Sequence, residues 1–119
     1  LLPGVRFLHF NAEEDLSQIN ENTAAVLLET IQGGAGFILP QDDYLKKVKK
    51  RCEDKGALLL LDEIQPGFGR TGKMFGFEYF GVAPDIVVMG KALGGGLPIG
   101  AFSASKKLMQ KLEVSYARF

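Results

Sequence analysis

Two apolar runs in this chain end in charged residues able to share one reaction. Leu58-Leu59-Leu60-Leu61 leads into Asp62-Glu63-Ile64-Gln65, and Ile86-Val87-Val88-Met89 leads through Gly90 into Lys91. A lysine at a strand end, among small neighbours and with no acid beside it, is a candidate Schiff-base amine. The plainer alternative is a lysine that only extends its ammonium into water. The partner run decides between them. In a parallel sheet both runs finish at the same edge, where open α/β sheets hold their ligands, so Asp62 and Lys91 would face one crevice. Pyridoxal phosphate needs such a pair: a lysine to carry its aldehyde, and an anion opposite the pyridine nitrogen to keep the ring protonated as an electron sink. A carboxylate about 4 Å from that nitrogen, at an effective dielectric near 20, contributes about 4 kcal/mol. That is roughly three pKa units on the ring, before desolvation is discounted. Gln65 is placed to donate to the ring's phenolic oxygen and Ile64 to pack against its face. A free lysine titrates near pH 10.4, so a lysine that shuttles protons needs a neighbouring cation and burial.

Other glycine patterns point to nucleotides and fail on their own terms. Gly67-Phe68-Gly69-Arg70-Thr71-Gly72 spells a dinucleotide fingerprint after a strand. That motif needs a helix opening at its last glycines and an acid about twenty residues on. Lys73-Met74-Phe75-Gly76-Phe77 is a poor helix start, and the next strand ends in Lys91. Gly67 to Lys73 also spells a phosphate-loop pattern, and the strand ending in Asp62-Glu63 resembles the acid pair of a nucleotide hydrolase. Met74 stands where a magnesium-binding hydroxyl is required, and the loop follows the strand that it should precede. A phosphate-loop protein is therefore the rival enzyme class.

The elements that must position these residues can be read from the pattern. Arg6-Phe7-Leu8-His9-Phe10 reads as a short strand, 11–22 as a polar connection with solvated charges, and Ala24 to Glu29 as the first buried strand. Leu45, Val48 and Cys52 recur at helical spacing between Gln41 and Lys55, with Asp42 and Asp43 at the start and Gly56 as the stop. Lys46, Lys47, Lys49, Lys50 and Arg51 read as the solvated outer face of that helix. Cys52, on the apolar stripe, reads as a small buried hydrophobe. Ala101 to Ala104 is a further strand, and Ser105 caps a helix carrying Leu108, Met109 and Leu112. Strand, helix, strand, long loop, strand, with runs apolar on both sides, predicts an α/β fold whose mostly parallel sheet is flanked by helices on both faces.

The bulk composition fits. The chain has 119 residues, 46% hydrophobic and 24% charged, with fourteen basic residues balancing fourteen acidic ones. That balance offers no field for nucleic acid, and no apolar run is long enough for a membrane span. One cysteine excludes an internal disulfide and a multi-cysteine metal site, so no metal is expected and a cytoplasmic setting is the default. The chain opens on Leu1 and stops at Phe119 just past a helical stretch, which reads as a fragment.

From Ala24 to Ala104 the sequence resembles the class III aminotransferases, fold-type-I pyridoxal-phosphate enzymes. The matching blocks are Leu28-Glu29-Thr30-Ile31-Gln32-Gly33, Leu61 through Gly72, and Lys91-Ala92-Leu93-Gly94-Gly95-Gly96-Leu97-Pro98-Ile99-Gly100. The resemblance implies that residues 1–119 are part of the cofactor-binding large domain, without the upstream phosphate loop and the C-terminal small domain. It implies that Lys91 forms the Schiff base, Asp62 holds the pyridine nitrogen, Gln65 and Ile64 contact the ring, and Glu29 supports the pocket. It further implies transfer of an amino group from an amine or amino-acid donor, often an ω-amine or ornithine derivative, to a 2-oxo acid, in a homodimer. Thr30 stands where the family often has proline, and Gly90 where Ser or Ala is frequent. Gly34 stands where many ω-amine members have a glutamate that neutralises a substrate-binding arginine. Arg70 is a candidate anion or interface contact. The segment alone is expected to be inactive. A non-catalytic relative of the same fold, or an aminomutase or decarboxylase, is the alternative.

Overall fold

A computed structural model describes residues 3–116 of the chain, the side chains of 112–116 excepted. Its centre is a four-stranded sheet in the order β1 (Ala25–Glu29), β2 (Leu58–Asp62), β3 (Ile86–Met89), β4 (Ala101–Ala104). β1, β2 and β3 run parallel, with Leu28 opposite Leu61 and Leu61 opposite Val87. β4 returns antiparallel, Met89 opposite Ala101. The connection from Gly90 to Gly100 holds only a one-turn 3-10 helix at Lys91–Gly94. A parallel return needs a crossover of a dozen or more residues, usually with a full helix.

α1 (Tyr44–Lys55) joins β1 to β2 and lies on one face of the sheet. Its buried stripe is Tyr44, Leu45, Val48 and Cys52, and it ends at Gly56, whose φ of 72° is the left-handed conformation glycine adopts without penalty. Strand alternation sends Leu59 and Leu61 toward this helix, and both are 0% exposed. With Leu16, Ile19, Ala57 and Val82 they complete the core. The expectation of helices on both faces is met on this face only. On the other, Leu27 is 64% and Phe102 49% exposed, so among the described residues no element covers it.

Two local expectations change. Residues 6–10 do not form a strand. The His9 amide and Nδ1 both bond the Asp15 carboxylate at 2.8 Å, and Phe10 meets the Tyr44 ring edge-on, 5.3 Å between centroids. Asp15 thus holds His9, and the segment lies across the start of α1. The basic run is only partly a solvated face. Lys46 pairs with Asp43, Lys47 with Glu13 and Lys50 with Asp54 at the surface. Lys49 instead reaches Asp85 at 3.1 Å, just before β3, and Asp85 also accepts from the Leu59 amide. Arg51 donates to the carbonyls of Leu16, Ser17 and Ile19, closing the 3-10 helix Glu13–Gln18 against α1. The polar connection 11–22 is thereby fastened to the helix. α2 (Lys106–Tyr116) starts as expected, with Ser105 Oγ accepting from the Leu108 amide; the side chain of Leu112 lies outside the described residues.

Cys52 is 0% exposed, and burial pushes its thiol up to about 11. At pH 8 only about one thiol in a thousand would be the reactive thiolate, even before access is counted. Alkylation of the native full-length protein at pH 8 should therefore leave the Cys52 peptide unmodified by mass mapping, and denaturant should make it fully reactive. Fast native labelling would contradict this packing.

Candidate active site

The parallel register brings the ends of β1, β2 and β3 to one edge. Glu29 pairs with Asp62 and Asp62 with Val88, so both acids stand side by side on the same face of the sheet. Each is tied to the loop that follows it. Glu29 Oε2 accepts from the Gly33 amide at 2.8 Å, and Asp62 Oδ1 accepts from the Ile64 amide at 2.8 Å. The second bond is a local turn of the kind aspartate makes with its own backbone, and it ends the strand with the carboxyl fixed in place.

The turn then presents Gln65 toward the next strand end. Lys91 Nζ donates to Gln65 Oε1 at 2.8 Å. Gly33 is buried against the Gln65 amide, and any Cβ there would overlap it. Gly90 is buried too: a Cβ at this position would lie 3.3 Å from Ile64 Cγ2. The glycine where the family often carries Ser or Ala therefore leaves room for the branched Ile64. Lys91 itself has φ of 45°, a left-handed backbone that non-glycine residues seldom adopt. Such strain persists where surrounding structure enforces it, and it clusters at functional sites.

A cleft of about 490 Å³ opens at this edge, lined by Lys91, Gln65, Arg70 and Thr71 with apolar Ile31 and Phe37. Lys91 and Gln65 thus meet in the cleft, whereas Glu29, Asp62 and Ile64 do not line it. Asp62 and Gln65 are joined through one short turn, and that turn connects the acid pair to the cleft. Among the described residues no group of three or more His, Cys, Asp or Glu side chains is placed to hold a metal ion.

The glycine loop behaves as neither nucleotide motif. Gly69 and Gly72 take φ of 86° and 93°, and no helix opens at them; the next element is the 3-10 helix Gly76–Phe80. Lys73 sits over the Tyr79 ring, 5.2 Å from its centroid, and Met74 is 58% exposed. Sequence reading missed Glu63 and Thr30, both 0% exposed. The signal was present: in a strand of period two, adjacent acids must point to opposite faces, so if Asp62 serves the site Glu63 must turn away from it.

The chain matches the family described as Aminotransferase class-III over residues 7–117. It is 46% identical over 113 residues to the acetylornithine aminotransferase of Methanocaldococcus jannaschii, covering 94% of this chain and 28% of that protein. It is 49% identical over 110 residues to the ornithine aminotransferase of Oceanobacillus iheyensis, covering 91% of this chain and 28% of that one. Among solved structures, an ornithine aminotransferase from Toxoplasma gondii, described with partial occupancy of pyridoxal phosphate at its active site, superposes with a TM-score of 0.88 at 35% identity. That match covers 93% of this chain and 27% of the other. The chain therefore spans under a third of the length of these relatives. With its sheet, its strand-end turn and nearly its whole length matched, the chain belongs to the class-III aminotransferase family.

Proposed function

We propose that the protein carrying this segment is a pyridoxal-phosphate-dependent aminotransferase that moves an amino group from an amine or amino-acid donor to a 2-oxo acid. The observation that carries this reading is the contact between Lys91 and Gln65 at the same sheet edge as Asp62. The donor set suits the cofactor. Lys91 offers a primary amine at the mouth of the cleft. The bond to the Ile64 amide engages one oxygen of Asp62 and leaves the other for a protonated ring nitrogen. Gln65 offers an amide beside the lysine, and Ile64 an apolar surface.

When bound, the cofactor supplies an aldehyde that captures amines and a protonated ring that accepts the electron pair released at the substrate carbon. Lys91 Nζ would hold the cofactor and, as a neutral amine, would be the nitrogen that carries a proton during the transfer. Asp62 would orient the ring and favour its protonated form, and Gln65, whose Oε1 accepts from Lys91, would offer its amide NH2 to the cofactor. Glu29 holds the Gly33 amide and so the backbone against which Gln65 rests. Lys91 is exposed in this segment. Exclusion of water must then come from bound ligands and from protein outside it, including the second subunit of a homodimer. We assign residues 1–119 to the large domain of such an enzyme, acting in the cytoplasm on an amine or amino-acid donor.

Borohydride reduction of the full-length protein with pyridoxal phosphate, followed by peptide mapping, should place the pyridoxyl group on Lys91. Modification at another lysine, or none, would overturn the aminotransferase reading. Removing a carboxylate contribution of about 4 kcal/mol, discounted for desolvation, should make Asp62→Ala lower kcat/KM by at least about 100-fold. Arg70→Ala, at the exposed rim, should stay within about tenfold of the unsubstituted enzyme. Equal losses in steady-state assays would contradict the assigned roles.

A further inference from the structure

Behind Asp62, on the side away from Glu29, the structure encloses an acid that the proposed chemistry does not use. Glu63 is 0% exposed and has no cationic partner among the described residues. Its Oε1 accepts from the Thr30 hydroxyl at 2.5 Å and the Phe77 amide at 3.0 Å, and its Oε2 accepts from the Gly76 amide at 2.8 Å. Its backbone is held as closely: the Gly67 amide donates to its carbonyl at 3.0 Å, and its own amide donates to the Val88 carbonyl at 2.9 Å. Two glycines of the loop exist for this enclosure. A Cβ on Gly67 would sit 2.6 Å from the Glu63 carbonyl oxygen, and one on Gly76 would sit 3.3 Å from Glu63 Oε1.

Burying a carboxyl is costly unless every oxygen is bonded, and a position needed only for packing would be served by an apolar residue. Here the carboxyl joins the end of β1, the end of β2 and the far end of the glycine loop. On the opposite side of the same backbone stand Glu29 and Asp62, and the loop it closes carries Arg70 and Thr71 into the cleft. We propose that Thr30 and Glu63 are positioning residues, a buried hydroxyl–carboxyl latch that fixes the Asp62–Gln65 turn from behind and holds the glycine loop against the cleft. The role toward the cofactor rests on the proposed function; the role toward the loop does not.

The test uses the full-length protein with Thr30→Val, which keeps the shape and removes the donor, and Thr30→Ser, which keeps the donor. Glu63→Gln would turn an amide NH2 toward donors; should it fail to fold, the Thr30 pair carries the test. In the cofactor-free protein, tryptic cleavage after Arg70 and Lys73 should be about tenfold faster in Thr30→Val, because cleavage follows the population of the open loop. Cleavage within α1, after Lys46 or Lys47, should not change. Pyridoxal phosphate should bind Thr30→Val about tenfold more weakly, and Thr30→Ser should match the unsubstituted protein in both readings. The latch is overturned if Thr30→Val behaves as the unsubstituted protein, if Val and Ser are equally impaired, or if α1 is cleaved faster in step with the loop. If the unsubstituted protein binds no pyridoxal phosphate, the aminotransferase reading and the latch's cofactor role fall, and the cleavage rates still decide the loop latch.

Discussion

Parallel pairing in one register is the constraint from which the rest of this site follows. With Glu29 opposite Asp62 and Asp62 opposite Val88, every strand that carries a candidate site residue reaches the same edge, and the loops leaving it must meet. A one-residue slip of β2 would exchange the faces of Asp62 and Glu63. It would put the caged acid where the site residue stands and drive Leu59 and Leu61 out of the core. Core burial and site geometry are therefore specified together, by the same alternation of leucines.

The edge also shows where the chain concentrates its conformational cost. Lys91 keeps a left-handed backbone, Glu63 is buried with no cation beside it among the described residues, and Gly33, Gly67, Gly76 and Gly90 give up side chains so that neighbours can approach. Each of these costs stability by itself. They fall within the segments that follow β1, β2 and β3, and hydrogen bonds cross between those segments. The core beneath, from Leu45 to Leu61, is ordinary apolar packing and provides the stable base.

How much of this the sequence revealed depended on whether a feature was local. Apolar runs stopped by glycine or charge marked β1, β2 and β3, and Leu45, Val48 and Cys52 marked α1 with its stop at Gly56. Residues 6–10 have the composition of a strand, but sheet membership needs a partner, and Asp15 and Tyr44 take the segment elsewhere. The antiparallel return of β4 depended on what a short connection can span. Lys49 and Arg51 looked like their solvated neighbours because their partners lie over thirty residues away in sequence. The family was legible in the blocks around Asp62, Gln65 and Lys91, which lie within the class-III aminotransferase match over residues 7–117. The cage around Glu63 was not, because its donors come from positions 30, 76 and 77 and meet only once the loop is folded. For the same reason the sequence did not show that Lys91 and Gln65 line the cleft and that Asp62 does not.

Asp62 and Lys91 are proposed to serve one ring. A crystal structure of the full-length protein, reduced with borohydride in the presence of pyridoxal phosphate, tests this most directly. The expected result is a covalent bond at Lys91 Nζ with the pyridine nitrogen within hydrogen-bond distance of the Asp62 carboxyl. A ring attached at Lys91 whose nitrogen faces Glu29 or solvent would contradict it.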